Sequence, residues 1–168
     1  MGPNQVNCIV PIETQGQDTV AVQIITPQGT VAGPDLLVAD SQPEVFKDSQ
    51  RFALALNQDQ TVNTALNPAA PGSIVSIWAT GGGLDNSGAP DGTIVKGPYQ
   101  NLTLPVSVLL RDASLEVLYA GDAPGDVIGL MQINFRLPAP FSLGVTAIGL
   151  ELQIGANTDH GFQIHVHP

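Results

Sequence analysis

A single cysteine, Cys8, stands in a chain of 168 residues, so no internal disulfide can form and stability must come from burial. Its position on an apolar stretch predicts a buried structural thiol. Basic side chains are scarce as well: five Lys and Arg face fifteen Asp and Glu, a formal charge of −10. That balance repels phosphate backbones and anionic headgroups, which excludes nucleic acid and an anionic membrane surface as partners. No apolar run approaches the roughly 20 residues of a membrane-spanning helix, so membrane insertion is not expected. No window sustains a 3.6-residue apolar period, and almost no helix is expected. The start, Met1-Gly2-Pro3-Asn4, lacks the basic and apolar segments of a secretory signal.

Catalytic patterns are missing too. There is no Gly-x-Ser-x-Gly elbow, and the histidines, His160, His165 and His167, crowd the far end of the chain. Gly81-Gly82-Gly83 is followed by neither Lys nor Ser/Thr in phosphate-loop register, so it reads as the end of a strand. No nucleophile, base and orienting group can be assembled, and the chain is expected not to be an enzyme.

What is present is glycine and proline, 18 and 14 residues, within a chain that is 43% apolar. Both residue types interrupt helices and build tight turns, which suits many short strands. A passage also recurs. Gln5-Val6-Asn7-Cys8-Ile9-Val10-Pro11 returns as Gln132-Ile133-Asn134-Phe135-Arg136-Leu137-Pro138, and Val20 to Ile25 with Leu36 to Val38 parallels Ala147 to Ile154 with Phe162 to Val166. A repeat at fixed offset means tandem modules. Residues 43–131 have no earlier counterpart, so 1–42 reads as the C-terminal half of one module and 43–168 as a complete one. Because that start falls mid-module, Met1 reads as an internal point of a longer protein.

Strands are expected at Gln5 to Val10, Thr19 to Thr26 and Asp35 to Ala39, making the first segment a three-stranded half-module. In the second, Phe52 to Leu56, Ser73 to Thr80, Leu104 to Leu110, Ser114 to Tyr119, the repeated Gln132 strand and its two successors follow, with a long loop from Leu84 to Gln100. Short strands at regular spacing with Gly/Pro punctuation predict an all-β, Ig-like antiparallel β-sandwich. Its core should hold Ile74, Ile77, Trp78, Val106, Val108, Val117, Ile133, Phe135, Leu150, Leu152, Ile154 and Ile164.

Several ordered motifs in residues 43–168 add to this reading: Asn57-Gln58-Asp59-Gln60-Thr61-Val62-Asn63, Asn67-Pro68-Ala69, Pro71-Gly72-Ser73-Ile74-Val75-Ser76, Ala79-Thr80-Gly81, Val106-Ser107-Val108, Val117-Leu118-Tyr119-Ala120-Gly121, Ala123-Pro124-Gly125, and Gln132-Ile133-Asn134 with Pro138. Together they resemble the Solibacter-type uncharacterised C-terminal domain family, while residues 1–42 resemble the tail of an IPT/TIG-like Ig-like module. The resemblance implies an Ig-like sandwich at the end of a secreted or cell-surface bacterial protein and brings no catalytic residues. One departure stands out: Arg111-Asp112-Ala113 occupies the place of the usual glycine-containing turn.

Two weak metal candidates remain. His165 and His167 lie two apart on a strand, on one face, and could take a transition metal if His160 or Asp159 joined them; a polar outer face is the plainer account. Asp85, Asn86 and Asp91 offer hard oxygens for calcium in the long loop, yet lack the full ligand pattern of a calcium loop. An Asx-rich turn is the plainer account. No other cofactor is expected.

The functional expectation is a non-enzymatic extracellular structural or adhesive module, secreted or at the cell surface, whose partners are proteins or glycans there or further copies of the chain. One rival is a subunit of a filament or sheath built by strand pairing between copies. The other is a carbohydrate- or ligand-binding module, marked by exposed aromatics beside the Leu84 to Gln100 loop.

Overall fold

The computed structural model describes residues 6–139 and 144–167. The protein is all-β with antiparallel sheets, and the chain divides into two compact units, Met1–Asp40 and Ser41–Pro168.

The first unit is a hairpin of β1 (Thr19–Thr26) and β2 (Gly29–Leu37), closed by a two-residue turn at Pro27-Gln28. Among the described residues two strands therefore stand where three are expected. Val6 to Val10 form no strand, Gln5 lies outside the described residues, and the strand expected at Asp35 begins already at Gly29. Cys8 is exposed rather than buried, because the stretch that carries it joins no sheet. Antiparallel register puts Val20, Val22 and Ile24 of β1 on one face with Val31 and Leu36 of β2.

The second unit is a two-layer sandwich. One sheet has the order β11-β10-β6-β7, from β11 (Asn157–His165), β10 (Ala147–Ile154), β6 (Val106–Leu110) and β7 (Ala113–Ser114). The other runs β3-β5-β9-β8, from β3 (Glu44–Val45), β5 (Ile74–Thr80), β9 (Met131–Arg136) and β8 (Glu116–Asp122), with β4 (Ala55–Leu56) also paired to β5. Alternation decides which side chains enter. On β5 it sends Val75, Ile77 and Ala79 inward; on β9 Met131, Ile133 and Phe135; on β10 Ile148, Leu150, Leu152 and Ile154. These join Val108, Phe162 and Ile164 in one core.

Most of the expected core residues are there, and Val106 and Val117 pack against it from half-buried positions. Ile74 and Trp78 are corrections. A two-residue period cannot put 74, 77 and 78 on one face, and with Ile77 inside, Ile74 and Trp78 turn outward and are only half-buried. From Thr80 to Val106 no strand intervenes, in line with a long loop. β5 ends where Gly81 and Gly83 take φ of 74° and 79°. At the β6-β7 turn, Arg111 adopts φ 57°, a left-handed conformation that glycine takes freely and arginine does not.

The two hairpins β1-β2 and β10-β11 share an outline, although Gly155 opens the second turn at φ 58° where Pro27 cannot. In β1-β2, Ala21 faces Asp35 and Gln23 faces Ala32; in β10-β11, Leu150 faces Phe162 and Leu152 faces Asp159. Each has one extra residue in the second strand, and each closes through two residues, Pro27-Gln28 or Gly155-Ala156. In the second unit the apolar face of this hairpin is covered by the opposite sheet; among the described residues of the first unit there is no second layer. Residues 41–168 hold their own core, so deletion of 1–40 should leave the melting temperature of that sandwich within a few degrees. A truncated chain that is unfolded by circular dichroism would show the two units to be one folding entity.

Candidate functional site

The chain leaves the sheet between β3 and β4 and crosses to the other layer. Lys47 bridges Ala53, while the Asp48 carboxylate accepts the N–H groups of Gln50 at 2.8 Å and Phe52 at 2.9 Å to hold the turn. The tip reaches β11: Ala53 N–H donates to the Gln163 carbonyl at 2.8 Å and Gln163 N–H to the Arg51 carbonyl at 2.7 Å. The Arg51 guanidinium donates to the carbonyl oxygens of Gly161, at 2.8 Å, and His160, around the irregularity in β11.

The Asn57 to Asn67 motif continues this tie. Asn63 is buried, its Nδ2 donates to the His165 carbonyl at 2.8 Å, and its Oδ1 accepts the His165 N–H at 2.8 Å. Its amide thus replaces a strand partner at the edge of β11. Asn57 accepts from Asn63 at 2.9 Å and donates to the Asn67 carbonyl at 2.9 Å. These asparagines join loop to strand, and among the described residues no buried side-chain N or O is left without a partner.

Beside them lies the most buried charge pair. Lys47 Nζ is 2.9 and 2.8 Å from the two Asp159 oxygens and 2.8 Å from Glu44 Oε1, while Val45 N–H donates to Asp159 Oδ2 at 2.8 Å. The side chains of Asp159 and Lys47 are 4% and 16% exposed. Burial by itself lowers the Lys47 pKa, but hydrogen bonds to Asp159 and Glu44 and their negative charges outweigh it and hold it above the ordinary lysine value.

The histidines do not converge. The His165 ring stacks on Phe52 with centroids 4.0 Å apart, His160 Nδ1 lies 3.8 Å from Glu151, Asp159 is engaged by Lys47, and His167 is exposed. Among the described residues no group of three His, Cys, Asp or Glu side chains is placed to hold a metal. Asp85 caps its own turn, accepting from Ser87 N–H at 2.7 Å and Ser87 Oγ–H at 2.6 Å, Asn86 donates to the Asn101 carbonyl at 3.3 Å, and Asp91 joins no such set.

The loop does bring Asp85 to Asp122, a buried residue at the end of β8 that sequence spacing does not connect with it. Burial raises the Asp122 pKa; the Gln100 N–H, donating at 3.1 Å, opposes this, and the charge and hydrogen bond of Asp85 reinforce it. Tyr119, its hydroxyl donating to the Asp122 carbonyl at 2.6 Å, is likewise raised by burial, by Asp122 and by Tyr99. A carboxyl whose folded pKa lies above its unfolded one stabilises below the unfolded pKa, and that contribution is lost as pH rises through the folded value. Asp122→Asn keeps an acceptor for Gln100 and gives Asp85 a donor. It should therefore raise the melting temperature at pH 7 by a few degrees, with the advantage vanishing in acid as wild type gains its proton. A lower melting temperature at pH 7 would refute this.

An exposed and a half-buried aromatic come together elsewhere than expected. Beside the long loop only Tyr99 is strongly exposed, the hydroxyl of Tyr119 being engaged. On the outer face of the β3-β5-β9-β8 sheet, Phe46 (45% exposed) and Leu54 (55%) flank Trp78, since Phe46 N–H donates to the Trp78 carbonyl and Leu54 N–H to the Phe46 carbonyl. Gln132 and Asn134, bonded to each other at 2.8 Å, lie on the adjacent strand opposite Trp78 and Ser76. Around Phe46 the patch meets an open cleft of about 410 Å³ whose lining includes Phe52, Asn63 and His165. The neighbours Ile74 and Ile77 hide this patch in the sequence; the strict two-residue period of β5 is the signal that reveals it. No protein-family model, curated protein or solved structure matches the chain.

Proposed function

We propose that the chain belongs to a non-enzymatic structural or adhesive protein outside the cell, built from Ig-like sandwiches in series. The observation that carries this is the recurring hairpin: β1-β2 and β10-β11 each close through two residues and each carry one extra residue in the second strand, in stretches of the sequence that repeat. Modules that repeat in one chain serve as spacers or as serial binding units. The strand order supports the Ig-like assignment, since β3-β5-β9-β8 over β7-β6-β10-β11 corresponds to the A-B-E-D and C′-C-F-G order of such sandwiches. The extracellular address is supported by the motif resemblance described above. It is tested by protease treatment of intact producing cells and by assay of the culture medium: the chain should be secreted or shaved from the surface, and a chain protected until lysis overturns the reading.

A second reading, glycan binding, is favoured by the Phe46-Leu54-Trp78 patch beside Gln132 and Asn134. A flat apolar surface with amides alongside suits a sugar ring, whose C–H face stacks and whose hydroxyls bond at the rim. Trp78→Ala should abolish glycan-array binding while shifting the melting temperature by only a few degrees, because the ring lies outside the core. Unchanged binding to the array, or none by wild type, rejects it.

A further inference from the structure

Lys47 and Asp159 meet where the first strands of the larger unit approach its last, 112 residues apart in the chain. The amine and the carboxyl are in contact and largely shut off from water, a second carboxylate touches the amine, and a backbone N–H points at one carboxyl oxygen. We propose that Lys47 and Asp159 become joined by an amide bond between Nζ and Cγ, with Glu44 moving the proton and the Val45 N–H steadying the oxygen.

The step needs no oxidant or activating group. One ammonium proton passes to an Asp159 oxygen, leaving a neutral amine beside a carboxylic acid. The Nζ lone pair attacks Cγ, and the negative charge that develops on Oδ2 is met by Val45 N–H. Glu44 takes the proton that nitrogen sheds and returns it to the departing hydroxyl; the C–O bond breaks and one water leaves. Glu44 ends as it began.

Two physical terms favour the amide. Reactive groups held in contact behave as if present at effective molarities of about 10⁵–10⁸ M, because folding has already ordered them. The product also replaces two buried charges, whose desolvation opposes the ion pair, by one neutral group. The contacts that keep the proton on Nζ make the free amine a minor species, so the bond forms slowly, after folding. It would close a loop spanning nearly the whole sandwich and tie its entering strand to its leaving one. The proposal goes beyond the module reading and does not depend on where the protein works.

The test is intact mass and peptide mapping of the full chain after prolonged incubation in the folded state. The expected result is a mass lower by one water and a tryptic peptide linking the Lys47 and Asp159 segments, with no cleavage after Lys47 in the denatured chain. Asp91-Gly92 can lose the same mass as a succinimide, so the linked peptide decides. Lys47→Arg keeps a cation at the site but cannot form this amide and should show the full mass; Glu44→Gln keeps the pair and should slow the loss of water at least tenfold. Full mass with cleavage after Lys47, or a water loss that maps to Asp91-Gly92, overturns the proposal and leaves an ion pair only.

Discussion

Phe135→Ala should destabilise the sandwich by about 3–5 kcal/mol, the usual cost of emptying a ring-sized volume from a closed core. Phe135 is fully buried and stands on β9, with Val75 of β5 on one side and Val117 of β8 on the other. Its ring also belongs to the core that Leu150, Leu152 and Phe162 fill from the facing sheet. Backbone hydrogen bonds on both sides hold β9 in place, so the walls can relax only in part and the cavity stays. Melting should fall by roughly 10–15 °C. A loss below about 1 kcal/mol would mean that the two sheets do not close on this side chain. The matching position in the repeat makes the contrast sharp: Cys8 is exposed, and Cys8→Ala should change stability within about 0.5 kcal/mol, the range of ordinary surface substitutions.

Measured against freshly folded chain of full mass, Lys47→Met should cost about 3–5 kcal/mol, the usual range when one member of a buried ion pair is removed. Methionine fills much of the space of the lysine stem, so cavity formation adds little. What remains is a carboxylate with almost no exposure, held only by the Val45 N–H. The diagnostic is the double substitution Lys47→Met with Asp159→Asn, which retains the acceptor for Val45 and removes the charge. It should be substantially more stable than Lys47→Met alone, a non-additivity that only direct coupling produces. If the two costs simply add in denaturant titration, the pair does not act as a unit and the closing contact between β3 and β11 owes its strength to packing. The same Lys47→Met chain, lacking the amine, must retain its full mass.

Much of the architecture is legible in the residues. Gln132 to Arg136 and Ala147 to Ile154 alternate so strictly that their inward sets follow at once, and Gly81 marks the end of β5 because its left-handed φ suits glycine. Where the structure departs from the pattern there is one cause: apolar content alone fixes neither a strand's partners nor its inward face. Val6 to Val10 are as apolar as a strand, yet they take no strand conformation, and the register of the hairpin runs between β1 and β2 alone. The company of Ile74 and Ile77 points Trp78 inward, whereas the period of β5 assigns it to the outer face.

The sequence by itself determined the class of fold and where many of its strands run. Both are local: they depend on alternation, on turn residues and on what types of side chain are available. The tertiary structure alone decided what long-range meetings arise. Lys47 and Asp159, Asn63 and His165, Asp85 and Asp122, and Phe46 and Trp78 stand far apart along the chain. Each pair is brought together by the crossing of the β3-β4 excursion to β11, the folding of the long loop onto β8, or the pairing of β3 with β5. No period within one strand encodes such a contact, because it depends on which strands become neighbours and in what register.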